Sequence, residues 1–254
     1  MNIDFTAYLG LFPYWQNSYA GSDGTDLVRL MNRDNIGRAV IASLRSVFDA
    51  VDLGNDEVFE AVARFPDRLI PSIVVNPYES WYSRDYLAEC REKGAKVLRL
   101  FPFNHAYPLR SPDNGKLDQL MQDAAELGYV AVISYRLFMN WYFNVLPTGD
   151  VYDFATRYRN LPIVIETANY SEFSPTVEAA KANPNIYVGL SALTFMDGVE
   201  RLVEELGAKR ILAGTCAPLQ IPSCGTIKVR EALIGEDDKA DILGGNVVRL
   251  LGLG

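Results

Sequence analysis

The chain has 254 residues and a formal net charge of −8 at pH 7, a length that fits a single α/β barrel. Its Lys and Arg residues are scattered through an acidic sequence, so we predict no nucleic-acid partner. Cys90, Cys216 and Cys224 form no CxxC pair, which is typical of a reducing compartment. The N-terminus has no basic signal-peptide region and no apolar run reaches the length of a membrane span, so we expect a cytoplasmic protein without a membrane partner.

Short apolar runs alternate with amphipathic stretches at about thirty residues per unit, the spacing of a strand, a crossover helix and the next strand. The apolar runs predict strands at residues 3–5, 39–43, 69–75, 96–101, 130–134, 162–166, 186–190 and 211–214. Most are continuously apolar, as parallel strands buried on both faces are. The other stretches predict helices at residues 23–35, 56–64, 84–93, 116–127, 150–158, 174–182 and 196–206. No linker divides the chain, so we predict one domain over residues 1–254.

The ends of three predicted helices fix the orientation of the fold. Gly94, Gly128 and Gly207 each follow a helix and precede a strand by a few residues, and glycine readily takes the left-handed conformation that ends a helix. These short connections belong to the N-terminal, stabilising face of a barrel, whereas the longer loops lie on the opposite face, where barrel enzymes place their chemistry. We therefore predict a (β/α)8 TIM-type barrel or a slightly distorted version of it.

The fourth predicted strand runs directly into a polar, aromatic loop that holds the only histidine, His105. Arg99 lies among apolar strand neighbours, and a charge there needs a partner or a water-filled cavity. If Arg45 and Arg136 also point into the mouth, the three arginines would bind a carboxylate or phosphate. The alternative for each arginine is internal pairing with Asp4 or Glu166. His105 is either a general acid or base or a packed, hydrogen-bonded structural group.

Two further strand ends carry side chains that are candidates for catalysis. Glu166 ends the PIVIE run and is either an acid or base with a raised pKa or one half of an ion pair. Cys216, in GTCAP, is either a nucleophile with His105 as its base or a small buried apolar residue. An aromatic run after the fifth strand is a lid, a pocket wall or a contact between copies of a homo-oligomer; it comprises Phe138, Trp141, Tyr142 and Phe143.

Several common motifs are absent from the sequence. There is no HxH, no HExxH and no clustered Cys/His set, and one histidine cannot build a multi-histidine zinc site. No GxGxxG follows a strand and no GxxxxGK[ST] occurs, so no sequence motif predicts a nucleotide cofactor.

Two C-terminal segments carry a family resemblance: AKRILAGTCAP at residues 208–218 and ILGGNVVRLLGL at the end. Together with IDF at residues 3–5, the RLFP…YPL segment at 99–109 and NIYVGLSA at 185–192, they resemble the amidohydrolase-related family, which includes decarboxylases, hydratases and lactonases. The resemblance spans almost the whole chain and implies the barrel fold.

The resemblance also implies a metal site, and the sequence departs from the family pattern there. Thr6 and Tyr8 stand where the family has an HxH pair, and Ser134 replaces the histidine of the fifth strand. The sixth-strand histidine falls at Glu166 or Thr167, and Cys216 replaces the eighth-strand aspartate. Since an open catalytic site needs at least three strong ligands, we predict no metal and no other cofactor.

Two functions from different classes remain open. The first is a metal-independent hydrolase or lyase acting on a small anionic cyclic or aromatic substrate. In that enzyme Glu166, His105, Tyr8 or Cys216 does the chemistry, and the substrate is bound by Arg99, Arg45, Arg136, Thr6, Asn76 and Ser134. The second is a catalytically silent binding or interaction protein that keeps the barrel. Polar residues retained at the rim favour the enzyme.

Overall fold

The computed structural model describes residues 1–14, 19–79, 81–110, 115–138 and 145–253. Eight parallel strands follow one another in chain order around one sheet. They are β1 (Ile3–Leu9), β2 (Arg38–Ser43), β3 (Leu69–Val74), β4 (Val97–Leu100), β5 (Val130–Ser134), β6 (Ile163–Glu166), β7 (Ile186–Gly189) and β8 (Ile211–Leu212). The architecture is a (β/α)8 barrel, which confirms the predicted fold class.

Helices separate the strands and cover the outside of the barrel. They are α1 (Thr25–Arg33), α2 (Arg45–Phe48), α3 (Val51–Arg64), α4 (Arg84–Glu92), α5 (Gly115–Glu126), α6 (Thr148–Arg157), α7 (Phe173–Ala182), α8 (Gly198–Leu206), α9 (Pro222–Arg230), α10 (Glu236–Ala240) and α11 (Asn246–Leu251). Each predicted helix is present with one or both ends shifted, whereas α2, α9 and α10 were not predicted. The sequence of α9 is a weak helix signal because Gly225 interrupts it, and a Cβ there would lie 2.6 Å from the Gly214 carbonyl oxygen.

The seam between the first and last strands is irregular. β8 is only two residues long, so the segment after it completes the closure. The Tyr8 N–H donates to the Ala217 carbonyl at 2.7 Å, and the Cys216 N–H donates to the Thr6 carbonyl at 2.7 Å. These bonds extend β1 pairing beyond β8 and bring Cys216 to the rim of the barrel.

The N-terminal opening of the barrel is covered by α11. Its Val247 and Leu251 are buried in the same apolar cluster as Phe5 and Val97 from the strands. A hydrogen bond also joins α11 to the start of β4, because the Lys96 Nζ donates to the Leu251 carbonyl at 2.7 Å. This helix therefore lies at the stabilising end of the barrel, opposite the expected site.

The predicted glycine helix ends are confirmed. Gly94, Gly128 and Gly207 have φ values of 95°, 72° and 72°, in the region that favours glycine. The longer loops are thus left at the C-terminal ends of the strands. Within the described residues, no helix has both the length and the apolar character needed to cross a membrane. The organisation of residues 1–254 as one domain stays a prediction.

Candidate functional site

The centre of the barrel mouth is the carboxylate of Glu166, the last residue of β6, which is fully buried. Its Oε1 accepts a hydrogen bond from the Thr6 hydroxyl at 2.6 Å. Its Oε2 accepts from the Ser191 hydroxyl at 2.5 Å and from the Thr167 N–H at 3.1 Å. A buried charge needs such donors, and here they come from the middle of β1 and from the turns after β6 and β7.

Two glycines make room for the Glu166 side chain. A Cβ at Gly189, the last residue of β7, would lie 2.1 Å from the Glu166 Cδ. A Cβ at Gly214, after β8, would lie 3.4 Å from the Glu166 Oε1. The first distance is far inside van der Waals contact, so a side chain at position 189 would displace the carboxylate.

Asp4 is a second buried carboxylate, and it holds the seam of the barrel together. Its Oδ1 accepts from the N–H groups of Thr6 at 3.0 Å and Thr215 at 2.9 Å, and its Oδ2 accepts from the Thr215 hydroxyl. Burial raises the pKa of Asp4 to about 7, although these hydrogen bonds oppose the rise. Thr6 contacts both Asp4 and Glu166, so the two carboxyl groups belong to one network.

Arg99 in β4 is fully buried inside the barrel. Its Nε donates to the Ser72 hydroxyl at 3.0 Å and its Nη2 donates to the Phe5 carbonyl at 2.5 Å. Its Nη1 is buried without a hydrogen-bond partner, and no ion pair joins the guanidinium to a carboxylate in the described part of the chain. Burying a cation in this state is costly, so the barrel interior favours an anion beside Arg99.

Tyr8 and Cys216 both point at the carbonyl oxygen of Leu137. The Tyr8 hydroxyl lies 3.4 Å from it and the Cys216 thiol lies 3.5 Å from it. Burial raises the pKa of both groups well above their ordinary values, so they carry their protons at neutral pH. A protonated thiol is a poor nucleophile, and this environment fits the apolar alternative for Cys216 better than the catalytic one.

Two of the three arginines predicted to bind an anion are paired with carboxylates. Arg136 forms a buried ion pair with Glu172 at 2.7 Å. Arg45 begins α2, its side chain is 41% exposed, and it pairs with Glu57 at 3.3 Å. Both arginines therefore follow the alternative of local pairing, although with carboxylates that the sequence did not indicate. Arg99 alone keeps an unpaired buried guanidinium.

His105 lies in the loop after β4 and contacts a different part of the rim. Its Nε2 is 3.0 Å from the Ser46 carbonyl in α2, and its Nδ1 is buried without a partner. Burial lowers the pKa of His105, so the ring is neutral at pH 7. The structure does not pair His105 with Cys216, whose thiol faces Leu137. The bond to Ser46 instead ties the loop to α2.

The remaining predicted substrate ligands divide between the site and its surroundings. Ser134 ends β5 and lies opposite Glu166 in the strand register. Asn76 accepts from the Tyr78 N–H at 3.1 Å and lies 3.4 Å from a Glu79 oxygen, so it shapes its own loop. Binding roles for both residues stay predictions.

An aromatic layer covers the mouth. The Phe12 ring lies 5.4 Å from the Phe138 ring and 5.6 Å from the Phe48 ring, in edge-on contacts. Phe12 and Phe138 are buried in the same apolar cluster as Tyr8. Of the predicted aromatic run, Phe138 thus belongs to this cover. The rest of that run lies outside the described residues: Trp141, Tyr142 and Phe143.

The residues present do not fit a catalytic divalent metal. Hydroxyls and a protonated thiol stand at the positions where the family resemblance implies ligands: Thr6, Tyr8, Ser134 and Cys216. Such neutral groups are weak ligands, and both Glu166 oxygens are already engaged by hydrogen-bond donors. Across the described ranges, no group of three or more His, Cys, Asp or Glu side chains could hold a metal ion.

Sequence reasoning missed the residues that build the pocket for Glu166. Gly189 and Gly214 matter through the space that they leave, and Thr215 matters through its bonds to Asp4. Both segments had been noticed as family motifs, NIYVGLSA and AGTCAP, but a motif does not say which of its small residues faces a carboxylate. Ser191 lies in NIYVGLSA as well, and its bond to Glu166 could not be inferred from that motif.

Solved structures of similar fold cover nearly the whole chain. One is a probable 2-pyrone-4,6-dicarboxylic acid hydrolase from Acinetobacter baumannii with citric acid bound, at 12% identity, a TM-score of 0.73 and 99% coverage of each chain. Another is a 2,6-dihydroxybenzoate decarboxylase complexed with 2,6-dihydroxybenzoate, at 13% identity, a TM-score of 0.76, and coverage of 100% of this chain and 99% of that one. At such identities the likeness shows the fold.

A third similar structure is a 5-carboxyvanillate decarboxylase from Novosphingobium aromaticivorans complexed with manganese and 4-hydroxy-3-methoxy-5-nitrobenzoic acid. It is 13% identical, with a TM-score of 0.77 and coverage of 100% of this chain and 96% of that one. No curated protein matches the sequence. The sequence model of the family described as Amidohydrolase matches residues 31–253, which is most of the chain. The protein therefore belongs to the amidohydrolase family.

Proposed function

We propose that this protein is a metal-independent hydrolase or lyase that acts on a small anionic cyclic or aromatic acid at the C-terminal mouth of the barrel. Arg99 binds the acid group and Glu166 moves the proton. The similar decarboxylases and hydrolase, two of which hold aromatic acids, support this substrate class.

The observation that carries the proposal is the unpaired guanidinium of Arg99. A fully buried cation with one nitrogen lacking a partner is stabilised by any anion that reaches it, and a carboxylate matches the planar guanidinium in shape. Arg45 and Arg136 already contact carboxylates, which leaves Arg99 as the arginine best suited to a substrate anion.

Glu166 is best placed for proton transfer. The hydroxyls of Thr6 and Ser191 contact its two oxygens, so a hydroxyl that passes its proton to the carboxylate can take one from the substrate in the same step. Tyr8 and Cys216 keep their protons because their pKa values are raised by burial. We assign them to the wall of the site, where they limit its size and polarity.

Binding is tested first, with 2,6-dihydroxybenzoate and benzoate as probes in calorimetry and thermal-shift assays. A specific acid raises the melting temperature through mass action. Arg99→Met should weaken binding by about 2–5 kcal/mol, because a desolvated charge partner is lost. Arg84→Met is the control, since Arg84 pairs with Asp123 and Glu126 on the outside of the barrel. Equal binding by wild type and Arg99→Met would contradict the anion role.

Turnover is tested next with aromatic acids and cyclic esters, following carbon dioxide release and acid production separately. The two readouts distinguish a lyase from a hydrolase. Glu166→Gln keeps the size of the side chain but removes its basic oxygen, and we expect turnover to fall by about 100-fold or more. A Glu166→Gln variant with wild-type rates would refute the assignment.

A silent binding protein is the second candidate, and the burial of the site favours it. Glu166, Arg99, Thr6 and Tyr8 are all fully buried, and Tyr8 packs in the same cluster as Phe12 and Phe138. None of the four groups is exposed to solvent, as rapid exchange of substrate and product would require. Acid binding that depends on Arg99, combined with no turnover of any acid tested, would select this function.

A further inference from the structure

The turn that carries Ser191 is held by side chains from outside its own strand. Ser191 follows β7 and donates to the Glu166 carboxylate at 2.5 Å. Leu190 and Leu193 flank it, and the Leu193 N–H donates to the Leu190 carbonyl at 3.0 Å. A serine in such a short turn can keep its bond to Glu166 only if the turn keeps its position.

Lys228 in α9 is one of the groups that fixes this turn. Its Nζ donates to the Leu190 carbonyl at 2.9 Å and to the Leu193 carbonyl at 2.7 Å. Gln220 adds a second tie, because its Nε2 donates to the Ser191 carbonyl at 3.1 Å. The last βα unit of the barrel therefore holds the residue before Ser191, Ser191 itself and the end of the turn.

The charge of Lys228 makes its two bonds stronger than neutral ones. Hydrogen bonds from an ammonium group to carbonyls are about twice as strong as those between neutral groups. Burial lowers the pKa of Lys228 to about 8, so the ammonium form still predominates at pH 7. The group is committed to carbonyl oxygens, since no described carboxylate forms an ion pair with it.

We propose that Lys228 is a positioning residue for the Glu166 centre and acts by clamping the Leu190–Leu193 turn so that the Ser191 hydroxyl stays bonded to the carboxylate. The inference rests on Glu166 being the proton-transfer group of the proposed function. The hydrogen bonds of Lys228 go to the Leu190 and Leu193 carbonyls, so the clamp acts through the backbone of the turn.

The test observes the Glu166 carboxyl carbon by NMR in protein labelled with 13C at the glutamate side-chain carboxyl. The Glu166 resonance is the one missing from Glu166→Gln, and Ser191→Ala gives its position when the serine bond is lost. Lys228→Met should move the resonance toward the Ser191→Ala position, and Lys228→Arg, which keeps a cationic donor, should move it back toward wild type.

Lys96→Met is the matched control, because the Lys96 Nζ also donates to two backbone carbonyls, those of Leu251 and Gly252, at 2.7 and 3.2 Å. That lysine lies at the opposite end of the barrel, so its loss should leave the resonance in place even if stability falls. An unmoved resonance in folded Lys228→Met, or an equal movement in Lys96→Met, would overturn the proposal.

Lys228→Gln serves if Lys228→Met does not fold, since its amide keeps one donor but not the charge. In Lys228→Gln the Glu166 resonance should also move toward its Ser191→Ala position, and an unmoved resonance would again contradict the proposal. The proposed function fails by a separate result, wild-type turnover in Glu166→Gln, and the NMR comparison does not depend on turnover.

Discussion

Replacing Gly189 by alanine is the sharpest test of how the site is built. The added Cβ would lie 2.1 Å from the Glu166 Cδ and 2.2 and 2.5 Å from its two oxygens. The carboxylate must leave its place between Thr6 and Ser191, and a buried charge that loses its partners costs about 3–5 kcal/mol. In a chain of 254 residues we expect the melting temperature to fall by roughly 10 °C.

The measurements are thermal unfolding and urea unfolding of wild type and Gly189→Ala, with Gly149→Ala as the control. Gly149 lies in α6, and a Cβ there meets nothing within 4 Å. Alanine is the better helix former by about 0.5–1 kcal/mol, so the control should be neutral or stabilising. The two substitutions are chemically identical and differ only in what surrounds them.

A double-mutant cycle identifies the clash. Glu166→Ala removes the side chain that the new methyl group would meet, so Gly189→Ala should cost far less in that background. We expect the two substitutions to be strongly non-additive, as contacting residues are. Additive effects, or a loss below about 1 kcal/mol for Gly189→Ala alone, would show that Glu166 does not lie over Gly189.

Other changes probe the acid groups, the metal and the thiol. Burial raises the Asp4 pKa above its unfolded value, to about 7, so the contribution of Asp4 to stability falls as pH rises from about 4 to 7. Asp4→Asn should therefore gain stability relative to wild type over that range, which unfolding at pH 5 and pH 8 measures. A difference in unfolding free energy between the two proteins that is the same at both pH values would contradict this. Chelation should leave activity and melting temperature unchanged, whereas one equivalent of bound metal in purified protein, lost together with activity, would refute metal independence. Cys216→Ala should retain turnover because the thiol is protonated. Complete inactivation of a folded Cys216→Ala variant would instead support Cys216 as the nucleophile.

The barrel was predictable because its signals are local and repeated. Continuous apolar runs, amphipathic stretches and the glycines at positions 94, 128 and 207 each report on a short segment, and they agree with one another. The seam was less predictable. β8 has only two regular residues, and the pairing of Tyr8 with Ala217 depends on tertiary closure that no local pattern encodes.

The site was only partly predictable because it depends on which side chains meet. Polar groups at strand ends identified Glu166 and Thr6, and the structure joins them directly. The partner of Arg136 could not be found, since Glu172 lies in a different βα unit. Loop conformation decides which charged residues form buried ion pairs of this kind, and the spacing of residues in the sequence says little about loop conformation.

Charge balance inside the barrel leads to a final prediction. With Asp4 near its pKa, the buried groups Asp4, Glu166 and Arg99 sum to between 0 and −1, and an acid bound beside Arg99 adds another negative charge. Asp4 is the group best able to relieve this excess, because a nearby anion favours its neutral form. Binding of 2,6-dihydroxybenzoate at pH 7.5 should therefore take up as much as about one proton, seen as a binding heat that varies with the ionisation enthalpy of the buffer. Asp4→Asn should abolish that dependence while retaining binding. A wild-type binding heat that is the same in all buffers would show that the acid does not enter the interior shared by Arg99 and Asp4.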